Sequence, residues 1–379
     1  MAHDGKRGIY ALAPIDGWND VQLTKNTGIL PFLFHKMFGF RAVMVGTKNA
    51  DYTMARFVPG LELDFLPDAS EATKIKYIEQ HKDDIDVLLL HGPYESYHPV
   101  VSAYRDMRPD GKVYLELDLN SYSADRVDCT SESFKRFISQ CDVIAASCGR
   151  VQQFVASRWP CVVDCLMNGF YNFSGAPLLP IDAYDETYHE RQNAILTVGR
   201  IGHPEKRNDI LLEAFAAIAD YVNDFSVRLI GPVDGEFQEW LERDFFTRYP
   251  HLRGRVELTG AIYDKAALYR EYRKAKIFVI SSPLEGGMPN VAAEALFGGC
   301  AMVTSDIDAA PEMTNGGRCG DVFPCGDSAA LSEILRDICT DEEKIKSFGR
   351  EAIRYAHERL DFENIARHAY YLLYGEVPR

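Results

Sequence analysis

The feature that most limits the fold of this chain is a rhythm. Short apolar runs rich in β-branched residues alternate with longer amphipathic stretches, and the alternation happens twice. The first series reads GIYALAP (8–14), RAVMVG (41–46), LELDFL (61–66), DVLLLHG (86–92), KVYLELD (112–118), DVIAAS (142–147) and CVVDCLMNG (161–169), separated by helical stretches such as 70–82 and 131–140. The second reads AILTVGR (194–200), FSVRLIG (225–231), RVELTG (255–260), KIFVISS (276–282), AMVTSD (301–306) and DVFPC (321–325). Between them helical stretches recur, including KRNDILLEAFAAIADYV (206–222), with Ile210, Leu211, Phe215 and Ile218 on one face. Strands buried on both faces read as continuous apolar runs, so this pattern predicts parallel sheets covered by helices.

The expected class is therefore α/β: two tandem doubly wound, Rossmann-like domains facing each other across a cleft, with C-terminal helices. The boundaries follow the rhythm: 1–172 for the first domain, a Pro-, Tyr- and acid-rich linker at 173–193, 194–358 for the second domain, and a last helix at 359–379 that crosses to the first domain. A length of 379 residues agrees with roughly two domains of under 200 residues each.

A formal net charge of −15 repels nucleic acid and anionic lipid over most of the surface, so an anionic ligand needs a local basic pocket. Nine cysteines, an odd number without zinc-finger spacing, suit a reducing cytoplasmic setting. The N-terminal MAHDGKRGIYALAP has no signal-peptide pattern, and no run reaches the roughly 18 apolar residues of a membrane span. The nearest, GILPFLFHKMFGFRAVMVG (28–46), is interrupted by Pro31, His35, Lys36 and Arg41. It reads either as a first helix and second strand or as an amphipathic face at 28–41 making weak peripheral contact with the inner membrane face.

In the second half, Arg200 ends one strand and Lys206 opens the next helix. Singly, each reads as a solvated basic residue. A cation at a helix N-terminus faces the positive end of the dipole, however, so Lys206 and Arg207 call for an anion there. The stretch SPLEGGMPNVAAEALFGG (282–299) supplies the complement: Gly286 and Gly287 leave amides approachable, and a helix starting near Pro289 or Asn290 aims unpaired N–H groups at the same corner. Cations and amides together suit a diphosphate. Carboxylates suit hydroxyls, since each can accept two hydrogen bonds from a vicinal diol, so Glu285 and Glu294 fit the sugars beside it. Read separately, Glu294 is an acid near a helix start, worth about 0.3–1 kcal/mol through the dipole, and Glu285 a polar loop residue. Their joint occurrence points to a nucleotide sugar.

Residues 194–325 resemble the donor-binding domain of GT-B glycosyltransferases, in particular the retaining family 4 (glycosyl transferases group 1). The resemblance rests on VGRIGHPEKRNDILLEAF, VRLIGPVDG, VELTGAIYDKAALYREYRKAKIFVISSPLEGGMPNVAAEALFGG and MVTSDIDAAPEM, in family order. It implies that Arg200 and Lys206 bind the donor diphosphate, Glu285 the transferred sugar and Glu294 the ribose. It also implies that the backbone from Gly286 through Gly287, Met288 and Pro289 to Asn290 meets sugar and phosphate, and that Ala261 and Ile262 in TGAI pair with the base. Gly17 matches a glycine loop near the phosphates. Two departures stand out: eight residues separate Glu285 and Glu294 where seven are usual, and Asp118 ends VYLELD where many members place a histidine. Asp118 and His91 are then the acceptor-side candidates, Asp118 also a catalytic one.

The resemblance further implies transfer of a sugar from a UDP, GDP or ADP sugar to a glycan or lipid-linked acceptor, such as one of surface polysaccharide biosynthesis. Configuration is retained and no cofactor or metal is needed, the leaving diphosphate taking the acceptor's proton. The strings Asp84-Ile85-Asp86 and Asp306-Ile307-Asp308 are expected to be strand-end turns rather than metal sites. Rival readings are a nucleotide-sugar epimerase or hydrolase of the same fold and a non-catalytic sugar-binding protein. A dinucleotide oxidoreductase is disfavoured, because no Gly-x-Gly-x-x-Gly follows a strand.

Overall fold

The computed structural model describes residues 7–175 and 177–376. Residues 1–6, Ala176 and 377–379, which hold the ends of the expected first domain and last helix and one linker position, lie outside the described residues. The chain divides into two compact units, Met1–Tyr171 with Phe362–Arg379, and Asn172–Asp361.

Unit 1 holds a seven-stranded sheet of β1 (Gly8–Leu12), β2 (Arg41–Thr47), β3 (Leu61–Leu66), β4 (Val87–His91), β5 (Lys112–Leu117), β6 (Val143–Ala146) and β7 (Asp164–Cys165). The order is β3-β2-β1-β4-β5-β6-β7, and every pair is parallel. All five residues of β1 and of β4 are buried, which is why both read as unbroken apolar runs. The chain builds outward from β1 to β3 and then returns to β4 on β1's other side. The carboxyl ends of β1 and β4 are thus a switch point, where open α/β sheets bind ligands. The run CVVDCLMNG shrinks to the two-residue β7, because this edge strand pairs only with Ala145 and Ala146.

The helix Asn26–Phe38 is interior: Asn26 through Phe34 are all buried. The helix Phe362–Tyr374 packs on it, and the rings of Phe34, Phe38 and Phe40 lie 6.0, 4.6 and 6.2 Å from that of Tyr370, whose hydroxyl accepts from Arg7 Nη1 at 2.9 Å. Burying side chains of this size contributes about 1.5–3 kcal/mol each, so the last helix is an integral part of unit 1. Within the stretch 28–41, the residues up to Phe34 are buried against the sheet and the last helix, whereas Lys36 and Gly39 are exposed and Met37 and Phe38 half-buried.

Unit 2 holds a six-stranded parallel sheet of β8 (Gln192–Val198), β9 (Ser226–Ile230), β10 (Val256–Gly260), β11 (Ala275–Ile280), β12 (Ala301–Ser305) and β13 (Gly320–Phe323), in the order β10-β9-β8-β11-β12-β13. Its switch point lies between β8 and β11. The helix Asn208–Ile218 buries Ile210, Leu211, Phe215 and Ile218 against the sheet, as the helical spacing requires. The later part of the expected linker, from Tyr184 to Arg191, is anchored in unit 2. Tyr184 and Tyr188 are in the core of unit 2, and the buried Arg191 donates to Ala275 O at 2.7 Å and to Gly298 O at 2.5 Å.

Candidate functional site

At the switch point of unit 2 the loop after β8 closes on itself and on the end of β11. Lys206 N–H donates to His203 O at 2.7 Å, Gly202 N–H to Asn208 Oδ1 at 2.7 Å, and Ser281 Oγ to Lys206 O at 2.9 Å. This loop and the β11 turn enclose a pocket of about 300 Å³, counting space open to solvent, lined in part by Arg200, Lys206, Asn208, Ser282 and Glu285. Three of the residues singled out in the sequence thus meet in one pocket. Ser281, which ties Lys206's backbone to β11, carried no sequence signal beyond ending an apolar run.

Each pocket cation already has a carboxylate. Lys206 Nζ lies 2.5 Å from Glu285 Oε1, with side chains 23% and 16% exposed, and Arg200 Nη2 lies 2.5 Å from Glu205 Oε2, with side chains 55% and 61% exposed. Arg207 pairs with Asp209 at 2.9 Å. The helix-start conflict read from the sequence is therefore met by internal acids rather than left for a ligand. The exposures decide what a ligand can displace. The Arg200–Glu205 pair is a surface pair worth about 0–1 kcal/mol, which a doubly charged phosphate outcompetes. The less exposed Lys206–Glu285 pair can persist, because an ammonium has three donors and Glu285 occupies one.

The turn 286–289 leads into the helix Asn290–Phe297, whose N-cap, Pro289, makes no side-chain cap. Gly286 and Gly287 N–H groups make no hydrogen bond among the described residues, so they remain available to an anion. Glu285 reaches the pocket. Glu294 is not a first-turn acid as its bland reading supposed: the first turn contains no acid, and Glu294 is the fifth residue of the helix, beyond the dipole's main reach. It accepts instead from Tyr272 Oη at 2.6 Å. Ala261 and Ile262 follow β10, two strands from β8, or roughly 10 Å at ordinary strand spacing. They do not line the pocket.

Arg207 holds φ 45° and ψ 45°, a left-handed conformation costing a non-glycine residue about 1–2 kcal/mol. Glycine avoids that cost but loses about 0.5–1 kcal/mol in unfolded-chain entropy. Arg207→Gly is thus expected to raise the urea midpoint by about 0.5–1 kcal/mol of stability with an unchanged denaturant slope. A lower midpoint would show that the Asp209 pair outweighs the strain.

In unit 1 the candidates gather at the β1/β4 switch point. Gly17 lies in the turn after β1, and a Cβ there would come 1.7 Å from Thr47 O, so glycine is required by the close approach of the end of β2. Asp118, one residue past β5, is exposed. His91, at the end of β4, is only 5% exposed and packs edge-on against Trp18 at 5.6 Å, so it does not offer its ring to a ligand at the surface.

His91 belongs to a buried polar chain the sequence reading did not identify. Asn26 donates to Glu116 Oε1, and Glu116 Oε2 lies 3.2 Å from His91 Nδ1, in geometry that is not a hydrogen bond; neither ring nitrogen has a hydrogen-bond partner. Burial pushes Glu116 up to about 7 against the opposing hydrogen bond from Asn26. Burial likewise pushes His91 down to about 4, with a smaller upward pull from Asp118. An acid inside the apolar run KVYLELD was the available signal, since such a group demands a buried partner.

Asp84 and Asp86 precede β4 at the amino edge of the sheet, away from the ligand edge. Asp86 accepts from Gly8 N–H at 2.7 Å and from Arg108 Nη2 at 2.8 Å, as a strand-end cap.

A family model described as glycosyl transferases group 1 matches residues 192–341. The phosphatidyl-myo-inositol mannosyltransferase of Mycobacterium leprae is 29% identical over 174 residues, 44% of this chain and 43% of that protein. Its counterpart from Mycolicibacterium smegmatis is 25% identical over 188 residues, 49% and 45% of the two chains. The chain thus spans under half the length of the curated relatives it matches. Among solved structures, Anabaena Alr3699/HepE in complex with UDP and glucose superposes with a TM-score of 0.73 at 16% identity, covering 98% of this chain and 100% of that one. A glycosyltransferase from Rickettsia africae superposes with a TM-score of 0.73 at 14% identity, covering 97% and 98%. With two parallel sheets of seven and six strands and a group 1 match placed on the second, this chain has the GT-B fold and carries a group 1 glycosyltransferase domain at residues 192–341.

Proposed function

We propose that this protein is a retaining glycosyltransferase of family 4. It moves a sugar from a nucleoside-diphosphate sugar to a hydroxyl of a glycan or lipid-linked acceptor. The observation that carries the reading is the pocket lined by Arg200, Lys206 and Glu285, with the unbonded amides of Gly286 and Gly287 next to Glu285 in the chain. Cations and amides converging at a switch point suit a diphosphate, and a neutral sugar has no use for them.

In the proposed reaction the bond between the sugar's anomeric carbon and the diphosphate oxygen breaks as a bond to the acceptor oxygen forms on the same face. The acceptor's proton passes to the leaving diphosphate. Negative charge grows on that diphosphate, and Arg200, Lys206 and the helix start at Asn290 stabilise it. Glu285 takes a sugar hydroxyl, Glu294 the ribose, and the backbone at Gly286, Gly287, Met288, Pro289 and Asn290 completes the donor subsite, with Ala261 and Ile262 on the base. Asp118 is assigned to the acceptor, with His91 supporting the edge from beneath and Gly17 shaping the turn after β1.

UDP heads the donor series because Alr3699/HepE is a UDP complex, with GDP and ADP sugars beside it. A reducing cytoplasmic setting suits nine cysteines, none of which is joined in a disulfide among the described residues. No helix among the described residues is long and apolar enough to cross a membrane.

The test is product analysis with a panel of UDP, GDP and ADP sugars, following the anomeric configuration of the product by NMR. Transfer with retention is the expected result, and it should survive excess EDTA, because the cations supply the charge a metal would. A sugar changed while still nucleotide-linked would make the protein an epimerase. Complete loss in EDTA restored by Mn²⁺ or Mg²⁺ would overturn the metal-independent part.

A further inference from the structure

Glu294 does not stand alone. Tyr272 Oη donates to its Oε2 at 2.6 Å. Tyr272 is 1% exposed, and burial, with the Glu294 charge second, holds its phenol well above the usual range. It is therefore a hydrogen-bond donor at every working pH and never competes with the carboxylate as an anion.

The phenol is also fixed. Its ring lies 5.6 Å from that of Phe278 on β11, and Cys300 Sγ donates to Tyr272 O at 3.1 Å. Gly298 closes the third side, where a Cβ would come 2.6 Å from Tyr272 Cβ. A rigid donor beneath a carboxylate does two things: it occupies one oxygen, and it sets the plane and direction of the other. A glutamate without that anchor would sample several rotamers and lose that freedom on binding.

We propose that Tyr272 is a positioning residue that makes the donor pocket selective for ribonucleotides. By clamping Glu294 Oε2, it aims Oε1 at the ribose diol. This rests on the donor-site reading above and narrows its substrate class to ribonucleoside, as against 2′-deoxyribonucleoside, diphosphates. A purely structural tyrosine in the same place affects both nucleotides alike.

The experiment is calorimetric titration of the full chain with UDP, GDP and ADP and their 2′-deoxy counterparts, on the unsubstituted protein, Tyr272→Phe and Glu294→Ala. The unsubstituted protein should prefer the ribonucleotide that it binds by about tenfold, the worth of a hydrogen bond to a charged group. Tyr272→Phe should lose most of that preference by weakening ribonucleotide binding several-fold, while deoxyribonucleotide binding changes less than about twofold. Glu294→Ala should lose the preference entirely.

Equal weakening of both nucleotides by Tyr272→Phe, or an unchanged preference, overturns the role given to Tyr272 while leaving the donor site standing. Retained preference in Glu294→Ala, or no binding by the unsubstituted protein, overturns the donor-site reading itself and this inference with it. Tyr272→Phe removes one oxygen and no carbon, and near-ultraviolet circular dichroism checks its fold. Should it not fold, Glu294→Asp, whose shorter arm cannot hold the phenol and the ribose together, should show the same lost preference, and a preserved one overturns the proposal.

Discussion

Arg200→Ala is expected to lower kcat for sugar transfer about a hundredfold or more, with the fold intact. The magnitude follows from the role: a preorganised donor at the site of developing charge is worth about 2.7–4 kcal/mol, and each 1.36 kcal/mol is tenfold in rate. The fold should not suffer, because Arg200 is 55% exposed and its resting partner is the still more exposed Glu205. KM for the donor should move less than kcat, since charge on the diphosphate is greatest as the bond breaks. Arg200→Lys should recover only part of the rate, because an ammonium cannot grip a phosphate through two parallel donors. The check is steady-state kinetics on purified variants. A rate within a factor of about three of the parent would mean that Arg200 does not touch the diphosphate.

Glu116→Gln should create an acid sensitivity that the parent protein lacks. Glu116 titrates near 7 in the folded chain against a usual 4.5, and His91 near 4 against 6.5. A carboxyl with a raised folded value keeps a proton that the unfolded chain has released, so its contribution to stability falls as pH rises from 4.5 to 7. An imidazole with a lowered folded value refuses a proton that the unfolded chain accepts, so its contribution falls as pH drops from 6.5 to 4. Between those limits the folded pair holds one proton and so does the unfolded pair. The two effects cancel.

Glutamine keeps the shape and the contact with Asn26 but cannot titrate, which leaves the His91 effect exposed. Across about 2.5 pH units at 1.36 kcal/mol each, Glu116→Gln should lose on the order of 3 kcal/mol relative to the parent between pH 6.5 and 4. His91→Gln should show the opposite slope, losing stability relative to the parent as pH rises from 4.5 to 7. Urea unfolding at several pH values measures both. Superimposable pH profiles for parent and Glu116→Gln would mean that the two groups are not buried as described.

Much of the architecture was legible because parallel strands are buried on both faces and so announce themselves as apolar runs: each run from GIYALAP to DVFPC contains a strand. The less legible parts are those where partners distant in sequence decide. CVVDCLMNG is as apolar as its neighbours, but only two of its residues find a strand to pair with. The 28–41 stretch looks amphipathic alone, and its residues up to Phe34 are buried in part because the last helix, more than 300 residues later, packs on this helix. At the site, Arg200, Lys206 and Glu285 carry a charge pattern visible in the chain, and they meet in one pocket. Tyr272, 22 positions before Glu294, shares no periodicity with it, and only the packing of one helix on another brings the phenol to the acid.

The claim on which most depends is that the pocket at the ends of β8 and β11 holds a diphosphate. The most direct measurement is a crystal structure of the chain soaked with whichever of UDP, GDP or ADP it binds. The expected density places the diphosphate within hydrogen-bond distance of Arg200 and Lys206, Glu205 displaced from Arg200, and the ribose on Glu294. A nucleotide well ordered elsewhere, with Arg200 and Lys206 still paired with Glu205 and Glu285, would contradict it.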